Sequence, residues 1–244
     1  MFNKDLLTKD TFFKGKLEAY QPKNGYRYSI DSIILAAYLC STVSCKDTII
    51  DLGTGSGIIP LILAFKKKDI NILGIELQKS LADIAKLNVS ANNMTEKIKI
   101  AEADFRLFNK DSFFIPADVV VSNPPYRKAG SGKINPDFQK AIARHEIKAS
   151  LKDIIATAKI MLKVSGRFVI IYPAVRMAEL FYEMKIVGIE PKLIRSIHSK
   201  KNKEAKLILT EGVKGGKSGV KVASPLIIYN DNGSYTQEIE DMLI

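Results

Sequence analysis

No tryptophan, two cysteines and two histidines occur in this chain of 244 residues. Cys40 and Cys45 are too few for a disulfide framework, and with His145 and His198 they form no zinc-binding spacing. Neither a cross-linked scaffold nor a structural metal is expected. No apolar run approaches the roughly 20 residues that a membrane-spanning helix needs. Met1-Phe2-Asn3-Lys4-Asp5 has no signal-peptide core, so the expectation is a cytoplasmic protein with no membrane contact. Negative charge is also scarce: 26 Asp and Glu stand against 37 Lys and Arg, a formal charge of +11. That surplus suits a polyanion held through its phosphates. It is concentrated at Lys128 and Lys133 and again at Lys200, Lys201, Lys203 and Lys206.

With 46% hydrophobic residues, the chain has enough apolar material for one full core, and no internal repeat or second domain is visible. From Thr48 onward short apolar runs alternate with longer helical patterns, as in a mostly parallel α/β sheet covered by helices on both faces. Strands are expected near 48–51, 70–76, 98–102, 117–122 and 167–172. Helices are expected near 57–67, 79–92 and 151–162, the last opened by a Ser150/Asp153 capping box. Beyond Pro173 a further helix to about Lys185 precedes an antiparallel edge hairpin at 192–198 and 205–210. Residues 212–219 read as a mobile loop, and 225–229 as a final short strand before the Asp231-Asn232-Gly233 turn. The whole divides into a covering segment 1–47, a core 48–211 and a C-terminal piece 212–244.

Asp51-Leu52-Gly53-Thr54-Gly55-Ser56-Gly57 ends the first of these strands and opens the first helix, where open α/β sheets bind nucleotide-like ligands. Glu76 closes the next strand, placed to accept hydrogen bonds from two ribose hydroxyls. A dinucleotide fingerprint needs G-x-G-x-x-G, but Ile58 stands where the third glycine is required. The observed G-x-G-x-G therefore excludes that pattern. Gly216-Lys217-Ser218 ends like a phosphate-binding loop, yet Glu211 occupies the first glycine position and no helix pattern follows, which excludes a nucleoside triphosphate there.

Asn123-Pro124-Pro125-Tyr126 follows the apolar run 117–122. Two prolines fix their own φ and push Asn123 out of the helical region, so the chain leaves the strand in one rigid shape. The Asn123 side-chain oxygen and the Pro124 carbonyl can each accept one N–H of a planar amino group. The nitrogen lone pair is then aimed at an electrophilic carbon, while Tyr126 stacks on the flat ring. No strong base is needed when the electrophile is an activated methyl group, and the segment holds no His or Glu.

Taken in order, Asp51 to Gly57, Glu76, Asp104 and Asn123 to Tyr126 resemble class I S-adenosylmethionine-dependent methyltransferases of the N6-adenine type, across roughly residues 25–172. The segment Gly25-Tyr26-Arg27-Tyr28-Ser29-Ile30-Asp31-Ser32-Ile33-Ile34-Leu35-Ala36 is similar to that preceding the cofactor loop in bacterial tRNA(valine) adenine-N6 methyltransferases. The resemblance implies a Rossmann-like domain, S-adenosylmethionine as cofactor and transfer to adenine N6 in tRNA beside the anticodon. It implies cofactor contacts from Tyr28, Ser29, Asp31, Asp51, Gly53, Thr54, Gly55, Gly57, Glu76, Asp104 and Asn123, and catalysis at Asn123, Pro124, Pro125 and Tyr126. Phosphate contacts fall to Lys128, Lys133, Lys200, Lys201 and Lys203, with Arg144 and His145 ordering the loop after the turn. Release-factor glutamine methyltransferases share the NPPY turn, DNA adenine methyltransferases are related, and a noncatalytic RNA-binding protein on the same fold is the alternative from another class.

Overall fold

The computed structural model describes residues 6–24, 27–109, 115–125 and 149–243. An N-terminal hairpin, β1 (Leu7–Phe12) and β2 (Leu17–Pro22), precedes α1 (Ile30–Thr42), β3 (Thr48–Leu52), α2 (Ile58–Lys66), β4 (Asn71–Glu76), α3 (Lys79–Ala91) and β5 (Ile98–Glu102). There follow β6 (Ala117–Ser122), α4 (Leu151–Met161), β7 (Leu162–Pro173), α5 (Met177–Ile186), β8 (Ile189–His198), β9 (Ala205–Lys214), β10 (Lys221–Val222), β11 (Leu226–Ile227) and α6 (Gln237–Leu243). The main sheet runs β10-β8-β9-β7-β6-β3-β4-β5, with β11 also on β8. Only β9 runs against its neighbours, so the expected mostly parallel sheet with an antiparallel edge hairpin is the observed one.

The β-branched run of β6 explains its central place. Val119, Val120 and Val121 are all fully buried, as a parallel strand covered on both faces requires. Strand alternation then splits the core in two. Ile49, Val119, Val121, Val169 and Ile171 pack with α1 and α2, whereas Ile50, Val120, Phe168 and Ile170 pack with α4 and α5. Helix α2 is apolar on every side and buried accordingly, and its Pro60 sits in the first turn, where a missing N–H breaks no helical bond. The capping box at α4 forms as read: Ser150 Oγ accepts from Asp153 N at 3.2 Å, and Asp153 Oδ2 accepts from Ser150 N at 2.8 Å.

Three departures from the sequence reading have local causes. The covering segment contains the β1–β2 hairpin, whose inward residues Leu17, Ala19 and Gln21 include a polar side chain that breaks the apolar alternation. The stretch 212–219 is not wholly loop: Gly212 to Lys214 belong to β9, Gly212 and Val213 pairing with both β7 and β8 and Lys214 with β8. Gly212 is required there because a Cβ would overlap Met184 and Ile189. The chain then turns with Gly215 N donating to Gly188 O at 2.9 Å. Finally, the C-terminal piece adds helix α6, anchored by the fully buried Ile239, beyond the short strand β11.

Among the described residues Phe168 is the largest fully buried side chain, and it lies in the centre of β7. Phe168→Ala is expected to cost about 3–5 kcal/mol of stability, read as a lower urea midpoint at unchanged slope.

Candidate active site

Strands β4 and β6 flank β3 on opposite sides, so the chain reverses its direction of travel across the sheet between them. A crevice opens outside the carboxyl ends of strands at such a switch point. The glycine loop after β3 and the Asn-Pro-Pro turn after β6 face this crevice together. Tyr28, Ser32, Gly53, Thr54, Ser56, Ile58, Ile59 and Asn123 line it. A larger groove of about 470 Å³ lies between α1 and α6, away from the loop glycines and Asn123.

The loop is shaped by the end of β4. Gly53 N and Thr54 N both donate to Ile75 O, at 2.9 and 3.1 Å, and Gly55 N donates to Glu76 Oε2 at 2.9 Å. Gly53, Gly55 and Gly57 take φ values of +74°, +58° and +81°, a region that L side chains rarely enter. A Cβ on Gly53 would meet nothing within 4 Å, so the backbone there faces open space. A ligand can approach it closely.

Two acids are buried beneath this loop. Asp51 is 1% exposed; its Oδ2 accepts from Thr54 Oγ1 at 2.6 Å, while Oδ1 is buried without a partner among the described residues. Burial, against the Thr54 hydrogen bond, pushes the Asp51 carboxyl up to about 7, with the nearby Glu76 adding to the rise. Glu76 is 6% exposed and receives one backbone N–H on each oxygen, from Gly55 and from Gln78 at 2.9 Å. Burial raises its pKa as well, opposed by those bonds. An unpartnered buried acceptor, an open glycine backbone and a carboxylate with lone pairs left at the end of β4 fit a ligand carrying a cationic group and ribose hydroxyls.

Asn123 is 7% exposed, and its Nδ2 donates to Ser32 Oγ at 2.8 Å from α1. Pro124 is buried behind it and Pro125 is exposed. Tyr126, Lys128, Lys133, Arg144 and His145 lie outside the described residues. Tyr28 reaches the crevice held from behind: its hydroxyl donates to Asp10 Oδ2 at 2.8 Å, and its amide to Gln21 Oε1 at 3.0 Å. Burial and the Asp10 carboxylate raise its hydroxyl well above the usual phenol range. Ser29 is exposed, and its hydroxyl donates to Asp31 Oδ2 at 2.9 Å, with Asp31 raised by burial.

Asp104, expected to face a ligand, is engaged by a neighbouring guanidinium. Its oxygens are occupied by Arg106, through the main-chain N at 3.0 Å and the guanidinium at 2.5–3.1 Å, which hold its pKa low. Lys200, Lys201 and Lys203 sit in the β8–β9 turn. Because Pro173 at the end of β7 pairs with Leu207, that turn lies at the same sheet edge as the crevice. The Lys200 ammonium donates to Asp231 O at 2.9 Å, while Lys201 and Lys203 are exposed. Sequence reasoning passed over Ser32, Ser56 and Asn88 as contributors to the site; the visible sign was a lone Asn88 on the apolar face of α3.

The strand order and the loop-and-turn pair at the switch point define a class I methyltransferase fold. A structure from Agrobacterium tumefaciens described as a predicted O-methyltransferase superposes with a TM-score of 0.68 at 20% identity, covering 87% of this chain and 94% of that one. The type I restriction-modification methyltransferase subunit of Streptococcus thermophilus gives 0.63 at 16% identity, covering 89% of this chain and 52% of that one. The chain belongs to the methyltransferase small domain family, which matches residues 29–188. Among curated relatives, a Porphyromonas gingivalis protein is 29% identical over 206 residues, 83% of this chain and 80% of its own length. An Aeromonas hydrophila protein is 26% identical over 207 residues, 84% of each chain. Both carry the name tRNA1(Val) (adenine(37)-N6)-methyltransferase.

The raised Asp51 pKa has a signed consequence. Unfolded, the carboxyl ionises above its ordinary 3.8; folded, it keeps its proton until about 7. The folded state therefore binds more protons between those values, and this group's contribution to stability is greatest below pH 4 and falls as pH rises to 7. The ligand-free Asp51→Asn variant is expected to lose that part of the decline, up to about 1.4 kcal/mol per pH unit, in melting curves taken from pH 4 to 8.

Proposed function

We propose that this methyltransferase transfers a methyl group from S-adenosylmethionine to the N6 amino group of adenine in tRNA, at the nucleotide beside the anticodon. The observation that carries the reading is the placement of Asn123, buried at the carboxyl end of β6 and facing the glycine loop across one crevice. The named activity of the relatives agrees with it.

S-adenosylmethionine supplies an activated methyl on a sulfonium whose departure leaves a neutral thioether. Glu76 at the end of β4 would hold the ribose hydroxyls, and the Asp51 side of the loop the cationic end. Asn123 Oδ1 and the Pro124 carbonyl would accept the two N–H groups of the adenine amine, returning its lone pair from the ring to the nitrogen; that lone pair forms the N–C bond as the S–C bond breaks, and the methylated amine, now strongly acidic, loses one proton to water. Tyr126 would stack on the base. Asn123 is held from α1 by Ser32, so the amide is already placed before substrate arrives. The target base must leave its stack to reach this depth, and an anticodon loop presents bases that unstack at small cost. Lys200, Lys201 and Lys203, with Lys128 and Lys133, would carry the flanking phosphates.

The test incubates the protein with radiolabelled S-adenosylmethionine and tRNA from a strain lacking the gene, followed by nucleoside analysis. Label in N6-methyladenosine is the expected product; label in protein or DNA alone would overturn the reading. Asn123→Ala is expected to abolish transfer while calorimetric cofactor affinity falls by on the order of tenfold at most, far less than the loss of transfer. Replacing Lys200, Lys201 and Lys203 together by Glu should raise the tRNA KM by on the order of tenfold or more, lower the salt dependence of binding and leave kcat at saturating tRNA near that of the unaltered protein.

A further inference from the structure

The cofactor loop is held from a second side. Asn88 on α3 is 0% exposed, and both its N–H groups and its oxygen are hydrogen-bonded. Oδ1 accepts from Tyr20 N at 2.6 Å, and Nδ2 donates to Tyr20 O at 3.0 Å and to Ser56 O at 2.8 Å. One turn later Asn92 repeats the hairpin half of this pattern, accepting from Glu18 N at 3.0 Å and donating to Glu18 O at 2.7 Å. The two amides thus pair with β2 as a neighbouring strand would. Only Asn88 has its second N–H turned across to the glycine loop.

The hairpin reaches the crevice by an independent route as well. Asp10 of β1 and Gln21 of β2 hold the hydroxyl and the amide of Tyr28, which lines the crevice. Helix α3 also lies close against the loop: a Cβ at Gly57 would stand 3.2 Å from Ala85 Cβ. A two-stranded hairpin is marginal in water by itself, so its order depends on what it docks to.

We propose that Asn88 is a positioning residue for the cofactor loop, and that the β1–β2 hairpin docked on it is a working part of the cofactor site. Cofactor binding and hairpin docking then strengthen each other, because a coupling between two binding events is reciprocal. Asparagine is the residue the position needs: a carboxylate has no N–H for Tyr20 O and Ser56 O, and glutamine is one methylene too long for a site already in contact on all sides. The inference rests on the reading of the crevice as the S-adenosylmethionine site.

The Tyr20 and Glu18 amides donate directly to the asparagine side chains, so their hydrogen exchange reports hairpin docking. In the unaltered protein, saturating S-adenosylmethionine is expected to slow both amides by on the order of fivefold or more. Asn92→Ala, which loosens the hairpin but leaves the Asn88–Ser56 bond, should raise the calorimetric Kd for S-adenosylmethionine by a similar factor. Asn88→Ala, which breaks both links, should raise it further. Binding that leaves exchange at both amides unchanged, or an Asn92→Ala variant with unaltered affinity, would overturn the coupling, and neither result depends on Asn88→Ala folding. An unaltered protein that fails to bind S-adenosylmethionine would instead overturn the cofactor reading itself.

Discussion

The hydrogen bond from Gly55 N to the buried Glu76 carboxylate, with those from Gly53 N and Thr54 N to Ile75 O, fixes the loop on which the site is built. Three consecutive amides are committed to the end of β4, and glycines at 53, 55 and 57 take positive φ values that L side chains rarely adopt. The acid therefore shapes the loop while keeping lone pairs that ribose hydroxyls would use. Asp51 lies buried beside it with one oxygen unpartnered among the described residues, an electrostatic cost that a cationic ligand would offset.

The fold was legible wherever chemistry is local. A run of valines flanked by Asn-Pro-Pro, a glycine loop after a short apolar strand and a Ser/Asp capping box each carry their structural meaning within a few residues. The β1–β2 hairpin was not legible because its stabilising partners lie far away in the chain. Gln21, which interrupts the inward alternation, is bonded to Asp10 and Tyr28, and Tyr20 and Glu18 pair with Asn88 and Asn92 some seventy positions on. A polar residue on an inward face argues against a strand until its partner is known.

The candidate site shows the same division. Asp51, Glu76 and Asn123 stand where their motifs imply, each at the end of a parallel strand whose register is set by the neighbouring ones: Leu52 pairs with both Ile75 and Ser122. Asp104 follows β5 as the pattern requires, but Arg106 two residues later closes on it. A ligand amine approaching this carboxylate must compete with a guanidinium already in place. Spacing alone assigned the position and could not register the competitor.

Charge and catalysis divide the carboxyl edge of the sheet between them. Among the described residues, the crevice itself is lined by Tyr28, uncharged polar and apolar side chains and Gly53, with its acids beneath the loop, while exposed lysines stand in the β8–β9 turn. Placing cations inside would stabilise a leaving anion, which a sulfonium methyl donor does not produce, and would oppose the binding of its positive charge. Lysines kept in the β8–β9 turn would attract a polyanion without that penalty, and screening by salt confines their influence to about 10 Å. On the proposed reading, Asn123 and the Pro124 carbonyl would govern the reacting nitrogen as acceptors, as amine methylation without a general base requires.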